Sequence, residues 1–391
     1  MAVSTSEREA ARAGEPARPA ARPRGSGGGT RLDFIDQFRG LVGVLMLFGH
    51  SGYYFNAVWL SLSPEDPFFS SMAQFVLRYV GYLCAPGFLM MNGAMVWYSY
   101  TRRRAAGAGE WATKWHLLQR GFFLVLVQVT WVNSSWSGFD RWAPDHLGII
   151  ATIGLAMCFL TLFVQTGWAT RLAVALAIFA VHPLLLEIPY DRGGGWQTVL
   201  MQTFVDAGEF NKYPVIPWLG FAIMGSVMAT AWVEKWKTPA RRISMNLFLA
   251  AASFGLAILV RTGRGYGTLE PFSSLTHISF LLDQKYPPSL YHQLWFFGAV
   301  LFWMSAIMWL GSRWPRLTAP LGLVGRVPLF YYCVHIAILG IFSKRLGLYY
   351  REGGVAATLI GFVIMLAVMM PLATWFGAVK RRSKNRIIQM I

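Results

Sequence analysis

Ten apolar stretches follow one another along the chain, each near the roughly 20 residues a helix needs to cross the hydrocarbon core of a bilayer. They cover residues 40–59, 75–98, 117–135, 147–165, 172–188, 215–233, 245–260, 291–310, 327–342 and 355–379. The pattern predicts an all-α, polytopic membrane helix bundle of about ten transmembrane helices. Residues 1–30 contain no apolar run and are rich in Ala, Arg, Pro, Gly and Ser. They read as a disordered cytoplasmic tail without the apolar segment of a signal peptide, which leaves 31–391 as one membrane domain. The longest connections, 189–214 and 261–288, mix aromatic and charged residues. That mixture suits a saccharide-like ligand and equally suits an ordinary hydrated loop.

Composition agrees with the pattern: 55% of residues are hydrophobic and only 14% charged, more apolar surface than a soluble fold can hide. An even number of spans puts both termini on one side, and the basic residues choose which. With both termini cytoplasmic, 25 of the 35 Lys and Arg fall inside, and the other face holds 10 basic against 11 acidic residues. Topology thus accounts for the net charge of +17, and no nucleic-acid surface is required. The expected location is the cell inner membrane, multi-pass, with anionic membrane lipid near the basic clusters. Self-association into a homo-oligomer is compatible with such a bundle. Cys84, Cys158 and Cys333 are scattered through the spans and suggest neither a disulfide nor a zinc framework.

The first span carries the most unusual chemistry. Arg39 and His50 are eleven residues apart; at roughly 100° per residue they share one helix face, about 16 Å apart along the axis. Ionisable groups at membrane depth are costly and point to function. Asp36 lies one turn before Arg39, so the plain alternative for that pair is an ion pair anchoring the helix end. For His50, and for His335 midway through the ninth span, it is a hydrogen bond to a neighbouring helix. His146, after Asp145, sits at the outer end of the fourth span. No histidine pair has metal-site spacing, so no metal is expected, and the signatures of soluble hydrolases and nucleotide-binding folds are absent.

Four ordered blocks then resemble a family. These are Arg31-Leu-Asp-Phe-Ile-Asp36-Gln-Phe-Arg39-Gly40 through His50, Ala85-Pro-Gly-Phe-Leu-Met-Met-Asn92-Gly93, Tyr213-Pro-Val-Ile-Pro-Trp-Leu-Gly220 and Gly325-Arg-Val-Pro-Leu-Phe-Tyr-Tyr-Cys-Val-His335. Together they resemble the bacterial heparan-alpha-glucosaminide N-acetyltransferase-like membrane family. More distantly, an Arg followed after ten residues by His is similar to acyltransferase family 3. The resemblance implies that 31–391 is a transmembrane acyltransferase domain. Its donor would be acetyl-CoA or another acyl-CoA from the cytosol, and its acceptor an extracytoplasmic saccharide or other polar molecule. In the lysosomal relative the histidine credited with catalysis lies in the loop after the first span, which here reads Asn56-Ala-Val-Trp59; His50 instead fills the bacterial slot.

On that footing His50 is the expected general base, a role suited to a group titrating near neutrality. Arg39, with Arg102, Arg103 and Arg120, is expected to meet the coenzyme A phosphates, and Asp36 to orient Arg39. His335 is a supporting or acceptor-side residue. Asn92 and Tyr332 are candidates to hydrogen-bond a developing oxyanion, and His146 to meet the acceptor. The competing class is a proton-coupled transporter or flippase, which would use the same broken spans and histidines; no inverted repeat is visible. A structural membrane subunit would explain the hydrophobicity but not the Asp36, Arg39, His50 face.

Overall fold

The computed structural model describes residues 32–61, Phe69 and 71–391. The tail expected over 1–30 lies outside the described residues. The chain divides into Met1–Asp33 and Phe34–Ile391, the second unit being the helical body. The described residues form helices and no strands, with only isolated bridges such as Asn56 to Gly353.

In chain order, α1 is Asp33–Phe55, and α2 runs Met72–Ala105 through one tight turn. α3 is Glu110–Val127, continued by a π turn, Gln128–Val132, into Asn133–Trp136. α4 is Ile149–Phe163, α5 Trp168–Leu185 and α6 Gly195–Phe204. Next come α7, Val215–Thr230, α8, Pro239–Thr262, α9, Leu290–Arg313, and α10, Pro315–Arg326. α11, Pro328–Leu339, ends in a second π turn, Gly340–Arg345. α12 is Val355–Arg382 and α13 Arg386–Met390. Helix starts follow local chemistry. Ser71, Thr238 and Ser289 accept from the amides of Gln74, Arg241 and His292, while Pro239, Pro315 and Pro328 open their helices where no amide donor is needed.

Every stretch predicted from the apolar pattern coincides with a helix. Among the described residues six helices are long and apolar enough to cross a membrane: α2, α5, α7 with its π turn, α8, α9 and α12. α10 and α11, bent by 80°, make a seventh as one broken span. The described residues are thus an all-helical, multi-pass membrane bundle with six or seven candidate spans by length and composition, fewer than the ten apolar stretches of the sequence. The difference has a physical source. Arg39 and His50 dilute the apolar average of α1, Glu110, Lys114 and Arg120 do the same for α3, and α4 has only 15 residues.

α7 is the centre of the body, buried on nearly every side and packed by α2, α4 and α5. Its crossing with α2 depends on small residues: a Cβ at Gly93 would overlap the Ala222 carbonyl, and one at Gly225 the Met90 carbonyl. α1 meets α10 in the same way, with Gly40 against the backbone of Leu321 and Gly325 against the backbone of Asp36. α8 and α12 present apolar outer faces, with Leu259 68% and Ile360 62% exposed, as helices in contact with lipid do.

Candidate active site

The close contact of α1 with α10 sets the first element of the site. Asp36 is buried, and its carboxylate lies 3.5 Å from Arg39 Nη1 on its own helix and 3.8 Å from Arg326 Nε on α10. Arg39 is thereby held at the mouth of a cavity of about 730 Å³. Arg120 of α3 and Lys380 of α12 line the same end, and Lys380 is within electrostatic reach of both Arg120 and Arg39. Met390 and Ile391 complete this basic mouth.

Eleven residues along α1 the cavity reaches His50. Its Nδ1 lies 2.8 Å from His335 Nε2 of α11, with the two rings stacked at 5.1 Å. His335 is fully buried, and its Nδ1 lies 2.5 Å from the Tyr331 carbonyl one turn back. That carbonyl can only accept, so His335 carries its proton on Nδ1 and turns a bare Nε2 to His50. His50 in turn carries its proton on Nδ1, which leaves its Nε2 lone pair unused. Trp136 and Tyr332 wall the pair, their rings 5.2 and 5.8 Å from His50, and both line the cavity.

Beyond the histidines the cavity opens at the other ends of the helices. His146 lies here, held by a chain of buried amides: Gln128 Nε2 donates to Asn133 Oδ1 at 2.7 Å, and Asn133 Nδ2 donates to the carbonyls of Ala143 and His146. Gln128 opens the π turn of α3 and Asn133 follows it, an irregularity often found at functional sites. The His146 imidazole hydrogen-bonds the Asp145 carboxyl and holds it below the ordinary aspartate range.

The 263–289 loop, which sequence left open as an ordinary connection, is a built structure. Arg261 is fully buried and donates to the carbonyls of Glu270, Ser279, Phe280 and Leu282, with Asp283 3.5 Å away. Asp283 in turn accepts from the amides of Leu269, Glu270 and Gln284. The clamp delivers Lys285 and Tyr286 to the cavity wall. The Lys285 ammonium lies 4.1 Å from the Tyr82 ring centre, and the Tyr286 hydroxyl is 2.9 Å from that of Tyr213. Burial alone would raise the Tyr286 phenol; the Lys285 charge and the bond to Tyr213 outweigh it and lower it.

Of the residues singled out from sequence, Arg39, His50, Asn92, Arg120, His146 and Tyr332 line this one cavity, with Asp36 and His335 directly behind it. Asn92 places its Nδ2 4.0 Å from Met157 Sδ. Arg102 and Arg103 are not in the wall; Arg102 is exposed and lies over the Tyr98 ring. Sequence reasoning missed Arg78 and Lys285. The signal for Lys285 was present in Arg261, Asp283 and the Pro287-Pro288 pair that bracket it. The three cysteines are free thiols.

Fold and site together define a multi-pass helical membrane protein with an internal cavity, lined by apolar side chains interspersed with charged ones, and a histidine pair at its waist. The family described as "Heparan-alpha-glucosaminide N-acetyltransferase, catalytic" matches residues 31–262. The chain belongs to that family, which makes it a membrane transferase of the N-acetyltransferase kind. No curated protein matches the chain. The matched stretch contains Asp36, Arg39, His50, Asn92, Arg120 and His146; Lys285, Tyr332 and His335 lie beyond it.

Proposed function

We propose that the protein moves an acetyl group from cytosolic acetyl-CoA to a polar, saccharide-like acceptor on the far side of the inner membrane. The observation that carries this reading is one cavity lined by Arg39, Arg120 and Lys380 at one end, by aromatic and polar residues at the other, and by His50 between. Both termini are cytoplasmic, and all ten helical stretches serve as crossings or broken crossings. The basic mouth then faces the cytosol and receives the coenzyme A phosphates, with Arg39 kept in place by Asp36.

The thioester is already activated, so the protein must align the two substrates and take a proton. The acceptor hydroxyl or amine attacks the thioester carbon while His50 Nε2 removes its proton. The resulting tetrahedral oxyanion is within the reach of Asn92 or Tyr332 donors. It collapses by breaking the carbon–sulfur bond, and the thiolate leaves and takes up the proton from His50. His335 accepts from His50 Nδ1 throughout, fixing the tautomer that turns Nε2 to the substrate.

The test is thiol release. Purified protein supplied with acetyl-CoA and a panel of sugars should liberate free coenzyme A and acetylate at least one of them. Transport of those sugars into proteoliposomes without any acetylation would replace this reading with a carrier. Reporter fusions after residue 30 and after Lys384 should both report cytoplasm; an external signal at either would reverse the donor and acceptor sides.

A further inference from the structure

α10 differs from the spans it joins. It is bent by 80° from α11, and α11 runs through the bundle beside α1, where His335 meets His50. α10 therefore runs close to the plane of the membrane. Its inner side, formed by Thr318, Gly322 and Gly325, is buried against the bundle. Its outer side carries Arg316, Leu317, Ala319 and Pro320, all exposed, with Leu317 63% open. Twelve residues are too few to cross a bilayer, and an outer face that mixes arginine with open apolar side chains has the composition of a helix lying in the interface.

The adjoining end of α9 gives the depth. Phe302 and Trp303 are exposed along that helix, as lipid-facing side chains are. Trp309 and Trp314 follow, ring edge to ring face at 5.5 Å, and tryptophan gathers where hydrocarbon meets headgroups. Arg313 comes four residues after Trp309, about 6 Å further along the helix, and Arg316 is the second residue of α10. Both arginines thus stand at the level of lipid phosphates.

The charge at this level lacks a protein counterpart. Residues 284–351 contain no Asp or Glu. Arg326, at the far end of α10, lies 3.8 Å from Asp36, but among the described residues neither Arg313 nor Arg316 pairs with a carboxylate. Two exposed guanidinium groups beside Trp314 and Leu317 match an anionic headgroup with acyl chains below it.

We propose that α10 is a membrane-surface helix whose outer face docks on anionic phospholipid, the lipid phosphate meeting Arg313 and Arg316 while Trp314 and Leu317 enter the acyl boundary. None of these four side chains lines the cavity, so the inference stands apart from acyl transfer.

The experiment uses the full-length protein in phosphatidylcholine nanodiscs doped with either phosphatidylglycerol or phosphatidylcholine brominated on the acyl chains. Bromine quenches nearby tryptophan, and subtracting the signal of Trp314→Phe isolates Trp314. Half-quenching of Trp314 should need on the order of tenfold less brominated phosphatidylglycerol than brominated phosphatidylcholine, since each basic residue near an anionic surface is worth about fivefold. High salt and the double variant Arg313→Gln, Arg316→Gln should remove the difference, whereas Arg313→Lys, Arg316→Lys should keep part of it. Quenching of Trp314 by neither lipid would show that α10 faces water and would overturn the proposal. Equal quenching by both lipids, or a preference that survives in the folded double glutamine variant, would overturn the anionic selectivity assigned to the two arginines.

Discussion

Both ends of the cavity are positively charged, but the charge is presented differently. At the basic mouth Arg39 is braced by Asp36, and its neighbours in the wall are Arg120, Lys380 and aliphatic side chains such as Leu117 and Ile391. At the opposite mouth Lys285 and Lys344 lie over tyrosine rings, and aromatic side chains form much of the wall. A cation over an aromatic face is held by the ring as well as by water, whereas one on an aliphatic wall keeps its charge for water or a ligand. The two ends thus differ in what surrounds their cations, and His50 lines the cavity between them.

The largest effect is therefore expected where the two halves join. His50→Ala should lower turnover by about 10² to 10⁴ fold, the usual contribution of a positioned base, while binding at both mouths persists. His50→Gln should be as inactive, because an amide can replace the hydrogen bond to His335 but cannot take a proton. Stopped turnover with intact acetyl-CoA binding by calorimetry is the expected result. Near-normal thiol release by folded His50→Ala protein would end the role of His50.

The next effect should fall on one mouth alone. Arg39→Ala should weaken acetyl-CoA binding about ten- to a hundredfold, as loss of hydrogen bonds to a charged group does, and leave sugar binding unchanged. Arg39→Lys should recover only part, since an ammonium lacks the planar fork. If the donor affinity of Arg39→Ala is unaltered, Arg39 is an anchor for α1 and the contrast between the mouths loses its donor side.

How much of this the chain announces depends on the range of the interaction. Asp36, Arg39 and His50 share a face because helix periodicity is local, so their alignment is legible from spacing alone. Their polarity is also what lowers the apolar average of α1, so the residues that mark the site are those that blur the count of spans. The partner of His50 lies 285 residues away, and only the packing of α11 beside α1 joins them. Lys285 was harder still. It sits in a loop without periodicity, and its direction is set by Arg261 gathering carbonyls from 9 to 21 residues downstream. Arg102 and Arg103 mislead in the opposite sense: their cluster is plain in the sequence, but the chain carries Arg102 to the exposed end of α2.

The second histidine gives a finer test of the waist. His335 is read as an acceptor for His50 Nδ1 that itself never takes the substrate proton. His335→Leu should then lower turnover about tenfold, near the cost of one hydrogen bond to a charged ring, with KM for both substrates unchanged. His335→Gln should restore most of the loss, because an amide offers one acceptor and one donor, as the neutral imidazole does. Glutamine would thus fail at 50 and succeed at 335. Equal failure at both positions would mean that His335 also exchanges protons.

The smallest effect separates the basic mouth from the basic surface around it. Arg102 is exposed, stacked over Tyr98 at 5.7 Å and absent from the cavity wall, whereas Arg120 is half-buried within the wall. An exposed charge outside contact distance acts through screened water, so Arg102→Ala should change acetyl-CoA affinity by no more than about twofold at physiological ionic strength. Arg120→Ala, by contrast, should follow Arg39→Ala in direction. Measuring both by calorimetry at low and physiological salt divides contact from field: a deficit of Arg102→Ala that vanishes with salt is long-range attraction. A deficit that persists would place the coenzyme A phosphates on the outer turn of α2 and move the donor site out of the cavity.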